Sequence, residues 1–193
     1  VVASDPRHRN TPGDGKFDQS VIPTDLELQT GRIDFANMPA FALSEAELLR
    51  NYLNKDHAYK HKLIAARYQG LIDDNFGYFS GEAFGASGWK NLGPLVGQEH
   101  VNAGDYFSGM TDSSYLWSYG CGGGWYQGAN GIGSTSDFAA SSTQSIFTML
   151  FGSYFGDWDS QNSFLRAPLA QGLTLTNAWS GRPHWQFHHM GLG

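Results

Sequence analysis

Two stretches decide how this chain is read: Tyr115-Leu116-Trp117-Ser118-Tyr119-Gly120-Cys121-Gly122-Gly123-Gly124, and Ser145-Ile146-Phe147-Thr148-Met149-Leu150-Phe151-Gly152-Ser153-Tyr154-Phe155-Gly156-Asp157-Trp158-Asp159. Each is an apolar run with the length of a strand, and each stops abruptly at glycine. Near-continuous apolar runs of this kind belong to strands buried on both faces, as in parallel sheets. Glycines at the end of such a run let backbone approach a ligand closely. One tip carries Cys121, the only cysteine, and the other carries Ser153, Asp157 and Asp159.

Working outward, further runs follow. Leu26 to Ile33 predicts a short first strand, and Lys62 to Ile72 a second that ends in Asp73-Asp74-Asn75. The two tips above belong to a third strand (115–120) and a fourth (145–151), and Leu173 to Trp179 predicts a fifth. Between them, Ser44-Glu45-Ala46-Glu47 has the spacing of a capping box, with Leu43 and Leu48 placed for a hydrophobic staple. Leu48, Leu49, Tyr52, Leu53 and Tyr59 continue at helical spacing, so a helix is expected over about 45–60. Weaker helices are expected over 82–95, which Gly85, Gly88 and Gly93 interrupt, over 105–110 and over 163–169. A last one opens at Pro183. Alternation of buried strands and helices predicts an α/β three-layer sandwich with a mainly parallel sheet and helices on both faces. In such a sheet, ligands sit beyond the carboxyl ends of the strands. Asp73, Cys121, Ser153 and Trp179 all follow strand ends.

With 193 residues, the chain is long enough for a single domain over 1–193 with a sizeable core. Its net charge of -6 argues against nucleic acid or an anionic membrane surface as the main partner. No apolar run has the length of a bilayer span. The 25 glycines and 15% aromatic residues predict broad turns and large aromatic anchors. One cysteine leaves no internal disulfide. Residues 1–25 read as an extended Asp/Gly-rich loop. Within it Asp5, Asp14 and Asp18 have the oxygen-rich look of a calcium loop, although the closing glutamate of an EF-hand is absent and a solvated turn is the simpler reading. No cofactor is required by the sequence, and calcium is the one candidate.

The order of elements resembles that of the gingipain-type cysteine peptidases, within the broader caspase-like group. Leu28-Gln29-Thr30-Gly31-Arg32-Ile33 is similar to that family's strand ending in Gly-Arg-Ile. The Glu-rich helix ending near Tyr52, the strand ending in Asp73-Asp74 and the Asp-rich loop ahead of the first strand fit as well. The resemblance implies a caspase-like sandwich with a histidine base at one strand end and a cysteine nucleophile at the next. In chain order, Tyr119 to Gly123 falls at the family's histidine turn and Phe151 to Ser153 at its cysteine. On that placement both catalytic residues are gone, and the domain is a degenerate member that binds or scaffolds. A second placement makes Cys121 the nucleophile of an active cysteine endopeptidase, with His100 as the nearest upstream base. Gly122, Gly123, Ser153, Asp157, Trp125 and Trp158 are the candidate substrate-binding residues in either case. The expected location is secreted or cell-surface, and the expected partner a protein or peptide.

Three other patterns compete. His184 and His188 share a helical face at a zinc-like spacing, with no third ligand in sequence, and they are alternative bases for Cys121. Gly152-Ser153-Tyr154-Phe155-Gly156 lacks the spacing of a serine nucleophile elbow. Trp125, Tyr126, Tyr154, Trp158, Trp179 and Trp185 gather around the same loops. Aromatic residues at strand tips stack on sugars or hold peptide side chains, or else belong to the core. A carbohydrate- or peptide-binding module with an aromatic rim is therefore the third reading. The C-terminus, ending Met190-Gly191-Leu192-Gly193 without a closing strand, is expected to be truncated or completed by another chain.

Overall fold

The structure, a computed structural model, describes residues 31–77 and 84–180. The chain divides into two units, Val1–Arg32 and Ile33–Gly193. Of the first only Gly31 and Arg32 are described, so the fold below is that of the second.

Helix α1 (Glu45–Lys60) begins at a complete capping box: Ser44 accepts from the Glu47 amide, and the Glu47 carboxylate accepts from the Ser44 amide. Leu43 is exposed while Leu48 is buried, so the helix buries Leu48 and Tyr52 rather than a stapled pair. The Tyr52 hydroxyl donates to the Leu175 carbonyl at 2.8 Å and ties the helix to the main sheet's far side. Strand β1 (Gly70–Asp74) is shorter than expected and starts later. Helix α2 (Gly85–Val96) forms in spite of its glycines, and they are its packing face: a Cβ on Gly88 would lie 2.8 Å from Tyr119 and 3.3 Å from Ile72. The helix thus lies closer to the sheet than any side chain would permit.

A 3-10 turn (Gln98–His100) leads into β2 (Val101–Ala103), then α3 (Tyr106–Asp112) and β3 (Tyr115–Cys121). Three two-residue strands follow, β4 (Gly124–Trp125), β5 (Gly128–Ala129) and β6 (Gly133–Ser134), and then α4 (Thr135–Ala140) with its own capping box. The remainder is β7 (Ser145–Phe151), α5 (Ala167–Ala170) and β8 (Thr176–Ser180).

The main sheet has the order β2-β1-β3-β7-β8 with every pair parallel. Side chains alternate between its faces. Leu71 and Leu150 join one core with α1, α3, α4 and α5 through Leu48, Tyr52, Tyr106, Met110, Phe138 and Leu169. Ile72, Tyr119, Cys121 and Met149 join the other with Leu92 and Val96 of α2. Helices therefore cover both faces, and the α/β architecture with a wholly parallel sheet is as expected. Among the described residues the sheet holds one strand that the sequence did not announce. This is β2, at the edge of the described sheet, whose Val-Asn-Ala has no apolar run to betray it; residues 31–33, the described end of the expected first strand, carry no strand. Residues 26–30 of the expected strand over Leu26 to Ile33, the calcium loop and the helix from Pro183 lie outside the described residues.

Candidate functional site

The strand order fixes where a crevice should open. The chain leaves β1 for β2 on one side, then returns across β1 to β3 on the other. The order reverses between β1 and β3, and ligands of such sheets bind outside the carboxyl ends at that point. The register places Asp73 beside Gly120 and Asp74 beside Cys121 there. The next tip is also close: Cys121 pairs with Phe151, and the Gly122 amide donates to the Phe151 carbonyl at 3.1 Å. The two glycine-ended tips thus stand side by side, with Ser153 two residues beyond the pair.

Cys121 is fully buried. Its Sγ donates to Asp74 Oδ1 at 3.2 Å, and the same oxygen accepts from the Phe76 amide at 2.9 Å. Burial, and then the hydrogen bond and charge of Asp74, push the thiol up to about 12. Phe76, Phe84 and Phe151, half-buried and with centroids 4.6, 5.0 and 5.8 Å apart, pack against the buried cluster to which Cys121 belongs. A buried thiol with an anionic acceptor beside it is held protonated, whereas a nucleophilic cysteine needs an electropositive, accessible setting.

Nor does the described structure supply a base. His100 precedes β2, whose first residue pairs with Gly70 at the start of β1, whereas Cys121 pairs with Asp74 at the end. That sets Val101, the residue after His100, about 13 Å from the level of Cys121 along the strands and two strand spacings of about 4.8 Å across. His57 and His61 stack on each other at the end of α1. The expected Cys121–His100 pair is not brought together. His184, His188 and Trp185 lie outside the described residues.

The crevice itself is filled by protein. The Asn75 amide donates to the Cys121 carbonyl at 2.8 Å, and the Asn130 amide to the Gly123 carbonyl at 2.8 Å. The Asn130 carbonyl occupies the place a Gly122 side chain would take, and Asn75 the place of a Gly131 side chain. Small residues at both positions let the β4–β6 sheet fold down as a plug. Gly122 and Gly123 thus serve chain packing and hydrogen bonding among the described residues.

Asp73 is buried at the same tip. Its Oδ2 accepts from the Tyr106 amide at 2.8 Å, and its Oδ1 from Asn75 Nδ2 at 2.7 Å. Desolvation outweighs these bonds and raises its carboxyl to about 6. One layer down, Tyr106, Ser118 and Thr148 form a buried hydroxyl cluster, with 2.7 Å from Tyr106 to Thr148 and 2.8 Å from Ser118 to Thr148.

The aromatic candidates separate into two groups. Trp125, Tyr126 and Tyr154 are 43%, 46% and 40% exposed, and the two tyrosine rings lie 5.7 Å apart. Trp158 is half-buried, donates to Asp34 Oδ2 at 3.1 Å, and lies under the Arg166 guanidinium at 5.8 Å. Trp179 donates to the Gly152 carbonyl at 2.9 Å. These contacts tie both indoles into the fold. Ser153 is half-buried, and Asp157 is exposed in a turn in which its amide donates to the Tyr154 carbonyl at 3.1 Å. Beside Trp125 a shallow depression of about 350 Å³ is lined by Asn130, Ile132, Ser134 and Asp137 among others. Asn130 and Asp137 escaped the sequence reading, because two-residue strands leave no periodic pattern to place them.

Among the described residues, no group of three or more His, Cys, Asp or Glu side chains is placed to hold a metal. No helix among them is long and apolar enough to cross a membrane. Comparison of the chain with protein-family models, with curated proteins and with solved structures finds no match.

Proposed function

We propose that this chain is a gingipain-like peptidase-fold domain that has given up cysteine chemistry and acts in binding, through the aromatic rim of its β4–β6 sheet. The observation that carries the reading is the filled switch point: Cys121 is buried and donates to Asp74, and the β4–β6 plug stands where substrate would enter. The adjacency of the tips of β3 and β7 supports the likeness to a caspase-like sheet, where base and nucleophile occupy neighbouring strand ends. Here those ends carry Cys121 and Ser153, with no imidazole between them among the described residues. The machinery of acyl transfer needs a nucleophile and base within proton-sharing distance, and oxyanion donors aimed into open space.

The test is chemical. The native chain is treated with iodoacetamide at neutral pH and assayed on casein and on fluorogenic peptides. Labelling of Cys121 should run far slower than in the urea-unfolded chain, with no hydrolysis above buffer. Thiol-dependent hydrolysis that disappears in Cys121→Ala would overturn the reading and restore the active endopeptidase.

A further inference from the structure

We infer that the depression beside Trp125 is a saccharide subsite, which takes a neutral oligosaccharide by stacking on Trp125 and hydrogen bonding to Asn130 and Asp137. This rests on the binding role proposed above and names its ligand class.

Trp125 is a fixed platform. It stands opposite Gly128 in the β4–β5 pair, and a Cβ on Gly128 would meet its Cζ2 at 2.6 Å and its Cη2 at 2.8 Å. The benzo ring lies over the bare glycine backbone, an arrangement that holds an aromatic side chain across a strand pair. The indole is nonetheless 43% exposed. A rigid indole, part covered and part open, offers a flat apolar surface at low entropic cost, which suits the C–H face of a pyranose ring.

The polar groups beside it have spare capacity. Asp137 Oδ2 accepts from the Ser134 amide at 2.7 Å and from its hydroxyl at 2.8 Å, which fixes the carboxylate in place. Oδ1 accepts no hydrogen bond from the described residues and is left for a ligand hydroxyl. The Asn130 side-chain amide, on an exposed residue at the rim, brings both donors and an acceptor. Buried Ile132 and Ala129 contribute the apolar part of the lining. A carboxylate and an amide beside an indole match vicinal hydroxyls.

The same features count against other ligands. No lysine or arginine lines the depression, and Asp137 would repel phosphates and acidic groups. A peptide that added itself to the β4–β6 sheet would need a row of free backbone groups, and its strands are two residues long.

The experiment uses the full chain, with cello-, xylo-, manno- and chito-oligosaccharides as probes, read by saturation-transfer NMR and calorimetry. At least one should bind with a Kd of about 10 µM to 1 mM. Trp125→Ala should weaken it about tenfold or more and Asn130→Ala about threefold, both with the thermal midpoint kept within a few degrees. Should Trp125→Ala fail to fold, Trp125→Phe and Asn130→Ala carry the test, each with a graded loss. Absence of binding by all four probes at millimolar concentration overturns the inference, as does binding that these variants leave intact. A dodecapeptide phage library is panned in parallel. Trp125-dependent peptide capture without saccharide binding overturns the saccharide assignment and leaves the binding role standing. No Trp125-dependent ligand of either class overturns both.

Discussion

Cys121 Sγ donates to Asp74 Oδ1 across the β1–β3 seam at 3.2 Å, so the only thiol of the chain faces a carboxylate. This pairing inverts the usual electrostatics of a catalytic cysteine. Thiolate formation would place a second negative charge beside Asp74 on a sulfur that is itself buried.

The thiol should therefore give an alkaline stability limb. Its folded value of about 12 lies above the ordinary 9.0. The unfolded chain then releases this proton first, so stability is unaffected at low pH and falls as pH rises from about 9 toward 12. The loss should be about 1 kcal/mol at a pH near 10. Tyr106, pushed up to about 12 by burial, adds its own slope in any variant. Urea unfolding of wild type and Cys121→Ser at neutral and alkaline pH isolates the thiol. Equal slopes for both would mean that the sulfur ionises freely in the fold.

Asp73 predicts a limb on the acid side with the same sign. Its carboxyl stands at about 6 against an ordinary 3.8, chiefly through desolvation. The folded protein binds this proton more tightly, so stability is greatest below about pH 4 as far as this group is concerned. It declines as pH rises through 6. Asp73→Asn should flatten the dependence of the urea midpoint between about pH 4 and 7, whatever its effect on absolute stability. An unchanged slope would remove Asp73 as its source.

The plug predicts a contrast between neighbouring glycines. A methyl group at Gly122 runs into the Asn130 carbonyl, a backbone atom that can move only if the β4–β6 sheet moves. At Gly123 the nearest atom is the Asn130 side-chain nitrogen at 3.3 Å, which can give way. Gly122→Ala should cost about 2–4 kcal/mol and Gly123→Ala less than about 1, measured by thermal unfolding. Equal tolerance at both sites would mean that the crevice is open in solution.

These contrasts mark how far the sequence could be read. Tyr115–Cys121 and Ser145–Phe151 announced themselves, because strands buried on both faces are written as continuous apolar runs. The Ser44–Glu47 box gave α1 because capping is local chemistry. The glycines of α2 read as helix breakers, whereas the fold uses them for close approach to Tyr119 and Ile72, a tertiary effect that propensity does not contain. The plug was illegible for a similar reason. Two-residue strands have no period, and the contact of Gly122 with Asn130 joins a strand tip to a loop residue outside any regular pattern. Two adjacent tips could thus be foreseen, whereas the protein that fills the space beside them could not.

The aromatic residues give the last prediction, because the fold divides what composition groups together. Arg166 is 2% exposed and donates to the Ala36 carbonyl at 2.7 Å, to the Ser160 carbonyl at 2.9 Å and to Asp34 Oδ1 at 3.4 Å. Trp158 closes this cluster, donating to the other Asp34 oxygen and lying beneath the guanidinium. Trp158→Ala removes a ring from a buried cation and a donor from its counter-ion, and should cost about 2–4 kcal/mol. Trp158→Phe keeps a ring under Arg166 and should recover more than half of that loss. Arg166→Met removes the guanidinium from the Asp34 carboxylate and from the Ala36 and Ser160 carbonyls, and should cost about 3–5 kcal/mol. None of the three should change saccharide affinity in the protein that remains folded, whereas Trp125→Ala should weaken it about tenfold or more with little change in the thermal midpoint. Calorimetric titration and thermal unfolding of the four variants decide it. A folded Trp158→Ala that no longer binds would put the ligand at the Asp34–Arg166 cluster instead of on the β4–β6 sheet.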